Sequence, residues 1–134
     1  MTHGGMKAVE LTGIVSQGTP IANAIRDRID VPADKIEAHE LLYRVGSPAP
    51  TAVGLREGDL LIVERRNNGH CATAELVIAA LGNVAFIGRW WGKHERRAVM
   101  NESLELIAED PRLHVLGVVN VVMRPMQFPQ LESE

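Results

Sequence analysis

Apolar residues in this chain fall mostly in short runs of strand length, separated by glycine, proline and asparagine, with little sustained helical periodicity. Ala8 to Val15 is rich in β-branched and apolar residues and predicts a strand, ending in the breaker cluster Ser16-Gln17-Gly18-Thr19-Pro20, an expected exposed turn. Thr19 as cap, Pro20 as first residue and Ile21, Ile25 and Ile29 at four-residue spacing predict a short helix to about Asp30. Val31-Pro32 would stop it, because the residue before proline is pushed out of helical geometry. A polar stretch with room for a second helical turn follows, then a strand from Leu41 to Val45 and the proline-broken Gly46-Ser47-Pro48-Ala49-Pro50, which cannot be a central strand. Asp59 to Val63 and Cys71 to Ala80 read as strands with Asn67-Asn68-Gly69 as turn chemistry between them, and Leu81-Gly82-Asn83 predicts a hairpin into Val84 to Trp91. Leu113 to Met123 is apolar on both alternating faces, as a strand covered on both sides would be, so it is expected to be central or at a dimer interface. The tail from Pro125 to Glu134 has two prolines and no period, and is expected to be mobile.

Composition adds mainly exclusions. A chain of 134 residues fits one domain. Its net charge of -3 argues against a nucleic-acid surface, which depends on Lys and Arg neutralising phosphates. Cys71 is the only cysteine, which fits a reducing cytosol, and nothing reads as a secretory signal or an apolar bilayer span of roughly 20 residues. Met1 to Gly5 receives no function. His39, His70, His94 and His114 are far apart and show no metal-ligand spacing; adjacent His70 and Cys71 would point to opposite faces of a strand, with Cys71 a small core residue. Trp90-Trp91, amid Arg89, Lys93, Arg96 and Arg97, would place one indole inward and one outward, which fits a protein contact better than stacking on bases. No cofactor and no metal are expected.

Gly54-Leu55-Arg56-Glu57-Gly58-Asp59-Leu60-Leu61-Ile62-Val63 closely resembles the Gly-x-x-x-Gly-Asp-Leu-Leu-x-Val segment of the self-cleaving LexA/UmuD peptidase family. Arg28-Ile29-Asp30 is similar to the Arg-Ile-Asp that follows the UmuD cleavage region, and Met100-Asn101 to the family's Met/Glu-Asn-Ser stretch. Leu116-Gly117-Val118-Val119 with Val121-Val122 is similar to its closing strand. The pieces occur in the family's order from about Gly13 to Met126. The resemblance implies a mainly β fold, twisted and partly barrel-like in the manner of LexA, UmuD and signal peptidase, with one or two short helices. The division expected is a leader and first strand over 1–12, the peptidase-fold domain over 13–126 and a tail over 127–134.

Members of that family cut their own chain at a small-residue-Gly bond with a serine nucleophile and a buried neutral lysine as base. A lysine serves as base only when burial lowers its pKa, and a hydroxyl attacks only within reach of that base. Counting five residues back from Gly54 puts the serine position at Ala49, and the lysine position aligns with Gly88 in Ala85-Phe86-Ile87-Gly88-Arg89-Trp90, with a different loop length able to shift that register by one or two. The scissile bond aligns with Gln17-Gly18, where bulky Gln17 replaces the small residue. No lysine lies between Lys35 and Lys93. Both dyad positions thus read as degenerate, with Ser47 or Thr51 and Lys93, His94 or Arg89 as outside candidates for a relocated pair. The resemblance implies a catalytically inactive homodimer in the cytoplasm, joined in part through the last strand. It would bind a protein partner such as an error-prone polymerase or repair factor, perform a role in the DNA-damage (SOS) response, and read no operator DNA. An active self-peptidase with relocated groups, and a sensor using a groove left roomier by Ala49 and Gly88, are the alternatives.

Overall fold

The computed structural model describes residues 5–23, 27–66, 71–93 and 95–125. Eleven strands occupy most of them: β1 Met6–Glu10, β2 Gly13–Val15, β3 Thr19–Pro20, β4 Arg28–Pro32, β5 Leu41–Val45, β6 Leu60–Arg65, β7 Leu76–Leu81, β8 Val84–Lys93, β9 Arg96–Met100, β10 Leu106–Glu109 and β11 His114–Met123. Helical structure among these residues is one 3-10 turn, Thr51–Val53. Among the described residues, no helix is long and apolar enough to cross a membrane.

Nine strands form one curled sheet: in the order β10-β9-β8-β7-β11-β6-β5-β2, with β3 added to β8. All its pairings are antiparallel except β2 with β5. β1 and β4 make a separate two-stranded sheet. As its doubly apolar pattern predicts, β11 is central, flanked by β6 and β7. Gly117 permits the close approach on the β6 side, where a Cβ would run into Val63 Cγ1 and the Glu64 carbonyl.

Because successive strand residues face opposite sides, β5 and β6 feed two cores. Leu42, Leu60 and Ile62 join Leu11, Val31 and Ile36 beneath β1 and β4. Tyr43, Val45, Leu61 and Val63 join Val15, Val53, Leu55, Ile78, Ala85 and Ile87 in the middle of the curl. Val77, Ala79, Trp90, Val99, Leu113, Val115 and Val118 form a third cluster, with Cys71 and Phe86 packed against it. Each fully buried Leu, Ile or Val contributes roughly 1.5–3 kcal/mol. Burial pushes the Cys71 thiol pKa up.

The segment from Pro20 departs from its expected helix. Thr19 and Pro20 pair with Ala85 and Val84, and Arg28 to Pro32 pair with β1; Ile25 lies outside the described residues. Pairing along two sheets outweighs the four-residue spacing of isoleucines, since Val31 in an extended β4 is completely buried. The expected turn at Ser16 to Pro20 is not a free surface loop: Ser16 is buried and the backbone of the segment bonds to β8 and to Pro48. The strand expected from Ala8 to Val15 is two, broken at Leu11-Thr12, and the one expected from Cys71 starts at Leu76. The leader residues 1–4, the Asn67-Asn68-Gly69 turn, His70, His94 and the tail from 126 fall outside the described residues.

Candidate functional site

The site lies where three pieces meet: the Ser16 to Pro20 segment, the Pro48-Ala49 loop and the middle of β8. β8 is paired along one edge by β7. On its other edge, β3 covers Val84 and Ala85, and β9 takes over from Arg89. Ile87 falls in the gap between them. The side chain of Gln17 fills that gap: its Nε2 donates to the Ile87 carbonyl at 2.8 Å and its Oε1 accepts from the Ile87 N–H at 2.8 Å. An antiparallel strand residue would exchange the same two bonds, so this side chain stands in for a backbone peptide.

The neighbouring backbone is held as firmly. Gln17 N–H donates to the Pro48 carbonyl (2.8 Å), Gly18 N–H to Ala85 (2.8 Å) and Ile21 N–H to Asn83 (2.9 Å). Gly18 sits at φ +74°, a conformation that L side chains rarely adopt. The Ser16 and Thr19 hydroxyls, flanking the Gln17-Gly18 peptide, hydrogen-bond to each other. The peptide that aligns with the family's scissile bond is therefore docked, its Gly18 N–H on Ala85 and the preceding Gln17 N–H on Pro48, the residue before Ala49.

Ala49 is half-buried and packs against the cluster containing Val15, Val53, Leu55 and Ile87. Along β8, Ala85 and Ile87 belong to that cluster, whereas Phe86 and Trp90 belong to the one on the opposite face. Gly88 shares the opposite face by alternation. A Cβ placed there would lie 2.5 Å from Val99 Cγ1 and 2.7 Å from the Met100 carbonyl, so the position admits no side chain without movement. The β8 side chains directed to the cluster of Ala49 are those of Ala85 and Ile87, and Ile87 is the one that precedes Gly88. Ala49 and Ile87 thus share one apolar cluster beside the docked peptide, and neither side chain carries a hydroxyl or an amine.

The outside candidates are dispersed. Ser47 and Thr51 are exposed. Lys93 is exposed at the far end of β8, six residues beyond Ile87, or about 20 Å at the rise of a strand. Arg89 donates from Nε to Glu102 at 2.9 Å and from Nη1 to the Ala74 carbonyl at 3.3 Å, so its guanidinium is engaged away from Ala49. As alternation requires, Trp90 is buried and Trp91 half-buried.

The Gly-x-x-x-Gly-Asp segment supports the site from below. Gly54 and Gly58 take positive φ (82° and 94°), which turns the chain sharply into β6. Asp59, only 1% exposed, accepts from the Arg56 N–H (2.9 Å), from Arg124 Nε (2.9 Å) and from Arg124 Nη2 (2.8 Å); Nη2 also donates to the Gly54 carbonyl at 3.1 Å. This motif residue thus has a structural role, tying the loop behind Ala49 to the end of β11. The hydrogen bonds from Arg124 hold the Asp59 carboxyl below its usual range against the opposing effect of burial. An unfolded aspartate titrates near 3.9, so the stability from this pair is full above about pH 4 and is lost as pH falls through the lower folded value. Asp59→Asn is expected to flatten that acid limb, bringing the urea midpoints measured at about pH 3 and about pH 6 closer together than in the parent.

Two features escaped reading from the sequence: the Gln17 amide as a strand substitute, and Ile87 as the β8 residue facing Ala49. Trp90 carried the signal for the second, because an inward Trp90 puts 86 and 88 on its own side and 85 and 87 on the other.

No family model matches the chain. It is similar to a LexA repressor of Syntrophobacter fumaroxidans, strain DSM 10017 / MPOB, 26% identical over 127 residues, which cover 91% of this chain and 61% of that protein. The chain therefore spans less than two thirds of the relative it matches. The mainly β, curled architecture is consistent with a LexA-like fold.

Proposed function

We propose that this chain is a LexA/UmuD-type domain that keeps the family's cleavage-segment groove but has lost the cutting chemistry, and works as a homodimeric protein-binding or regulatory module in a DNA-damage response. The observation that carries the reading is the docked Gln17-Gly18 peptide, latched by the Gln17 amide onto Ile87 beside a nucleophile position occupied by Ala49. Ile87, rather than Gly88, is assigned the base position, and its side chain has no proton to exchange. Similarity to a LexA repressor over most of the chain supports a LexA-like family. A groove occupied by the chain's own segment favours a surface that binds over a pocket that senses a small molecule.

The test is intact mass under denaturing conditions, followed over days at about pH 7 and about pH 10, since a lysine base would gain activity as it loses its proton. An unchanged mass at both values is the expected result. Appearance of a species lacking residues 1–17 would mean that Ser47, Thr51 or another hydroxyl reaches the peptide, and the binding-module reading would fail.

A further inference from the structure

We propose a second recognition surface, independent of the Ala49 groove: the β8–β9–β10 end of the sheet docks an extended segment of a partner protein that carries an apolar side chain flanked by Lys or Arg. The site is a groove of about 260 Å³ lined by Trp90, Trp91, Met100, Ala74 and Leu104. That volume is below the range of ligand pockets and suits one large side chain.

Its walls are unusual in their backbone. Ala74 (φ 76°) and Leu104 (φ 65°) are the positive-φ residues other than glycine among the described residues, and both line this one groove. Such conformations are uncommon for side chains like these and persist where surrounding bonds impose them. Asn101 imposes one: its Oδ1 accepts from the Ser103 and Glu105 N–H groups at 2.8 Å each, and its Nδ2 donates to Glu105 Oε1 at 2.9 Å. Arg89 links two lining residues, Ala74 and Glu102, through its bonds to both. The groove is thereby braced open, with Leu104 72% exposed and Leu106 53% exposed beside it.

Two further observations define the occupant. Among the described residues β10 ends the sheet, pairing with β9 on one side, so its other edge offers backbone groups to an added strand. Glu105, next in sequence to the groove residue Leu104, bonds to the neutral Asn101 amide and to no cation among the described residues, which favours a partner Lys or Arg. A second copy paired edge to edge about the middle of β10 would set Glu105 opposite Asp110, two like charges, and is disfavoured.

A phage-displayed heptapeptide library selected on the full chain should enrich an apolar or aromatic residue flanked by Lys or Arg, and the synthetic consensus peptide should bind with its affinity reduced about tenfold or more by Leu104→Asn. Asparagine accepts the left-handed conformation, so this variant keeps the fold, checked by an unchanged unfolding temperature. Glu105→Gln should weaken the peptide in a salt-dependent way. Enrichment of acidic sequences, no enrichment, or a consensus peptide indifferent to Leu104→Asn would each overturn the proposal. So would sedimentation showing self-association through this face that Leu106→Lys abolishes, which would make a second copy the occupant.

Discussion

Ala49→Ser combined with Ile87→Lys is expected to make the chain cut itself between Gln17 and Gly18, at least about a hundredfold faster than the parent, the scale of effect that a positioned general base supplies. The argument is geometric. The peptide is already docked, its Gly18 N–H held by Ala85, the preceding Gln17 N–H by Pro48 and the Gln17 side chain by Ile87, so the variant needs to supply only the reacting groups. A serine at 49 places a hydroxyl where the methyl now packs against the Ile87 cluster, and a lysine at 87 emerges on that face. Burial would lower the pKa of such a lysine by disfavouring its charged form, and the cleavage rate should rise between about pH 7 and about pH 10 as the remaining protonated fraction falls. Ala49→Ser with Gly88→Lys is the decisive control. Its lysine would start against Val99 and the Met100 carbonyl on the other side of β8, so it should destabilise the sheet and leave the mass unchanged. Cleavage by the Gly88 variant alone would place the base position at 88 and refute the assignment to Ile87.

Asp59→Ala should produce the largest loss of stability among single changes around the site, about 3 kcal/mol, lowering the unfolding temperature by roughly 10 °C. The carboxylate accepts three hydrogen bonds at 2.8–2.9 Å while almost completely buried. Its removal leaves the Arg56 N–H without its acceptor and Arg124 with only its bond to the Gly54 carbonyl in the loop. Arg124→Ala should cost less, because the arginine is half-exposed and Asp59 would keep its bond from Arg56. Calorimetry on the two variants checks the order. If Arg124→Ala proved the more damaging, the carboxylate would not be the centre of this joint.

The sequence was most informative where a strand is long and apolar on at least one face: β5, β8 and β11 lie within a residue or two of the positions expected from periodicity alone. β9 and β10 were missed because Arg96-Arg97 and Glu105 to Glu109 interrupt any alternation, and their pairing with β8 holds them extended. The helix expected from Pro20 failed for the complementary reason, since a local spacing of isoleucines says nothing about the two sheets that claim the same residues. At the site, counting back from Gly54 led to Ala49, and the breaker cluster pointed to Gln17-Gly18. The position on β8 was harder to read. One residue of register reverses which face a side chain serves, and a sequence count across a loop of altered length cannot fix that parity.

The connectivity around Gln17-Gly18 also determines what a nick there would do. β1 and β2 precede the bond, yet β1 is laced to β4 through five residue pairs and β2 to β5 through three, and both of those partners follow the bond. Severing the peptide would therefore not liberate the upstream piece. The two fragments would stay interleaved as a noncovalent pair, unchanged in hydrodynamic size and separable only by unfolding, so that any cellular signal carried by such a cut would have to come from a newly exposed chain end rather than from the departure of a fragment.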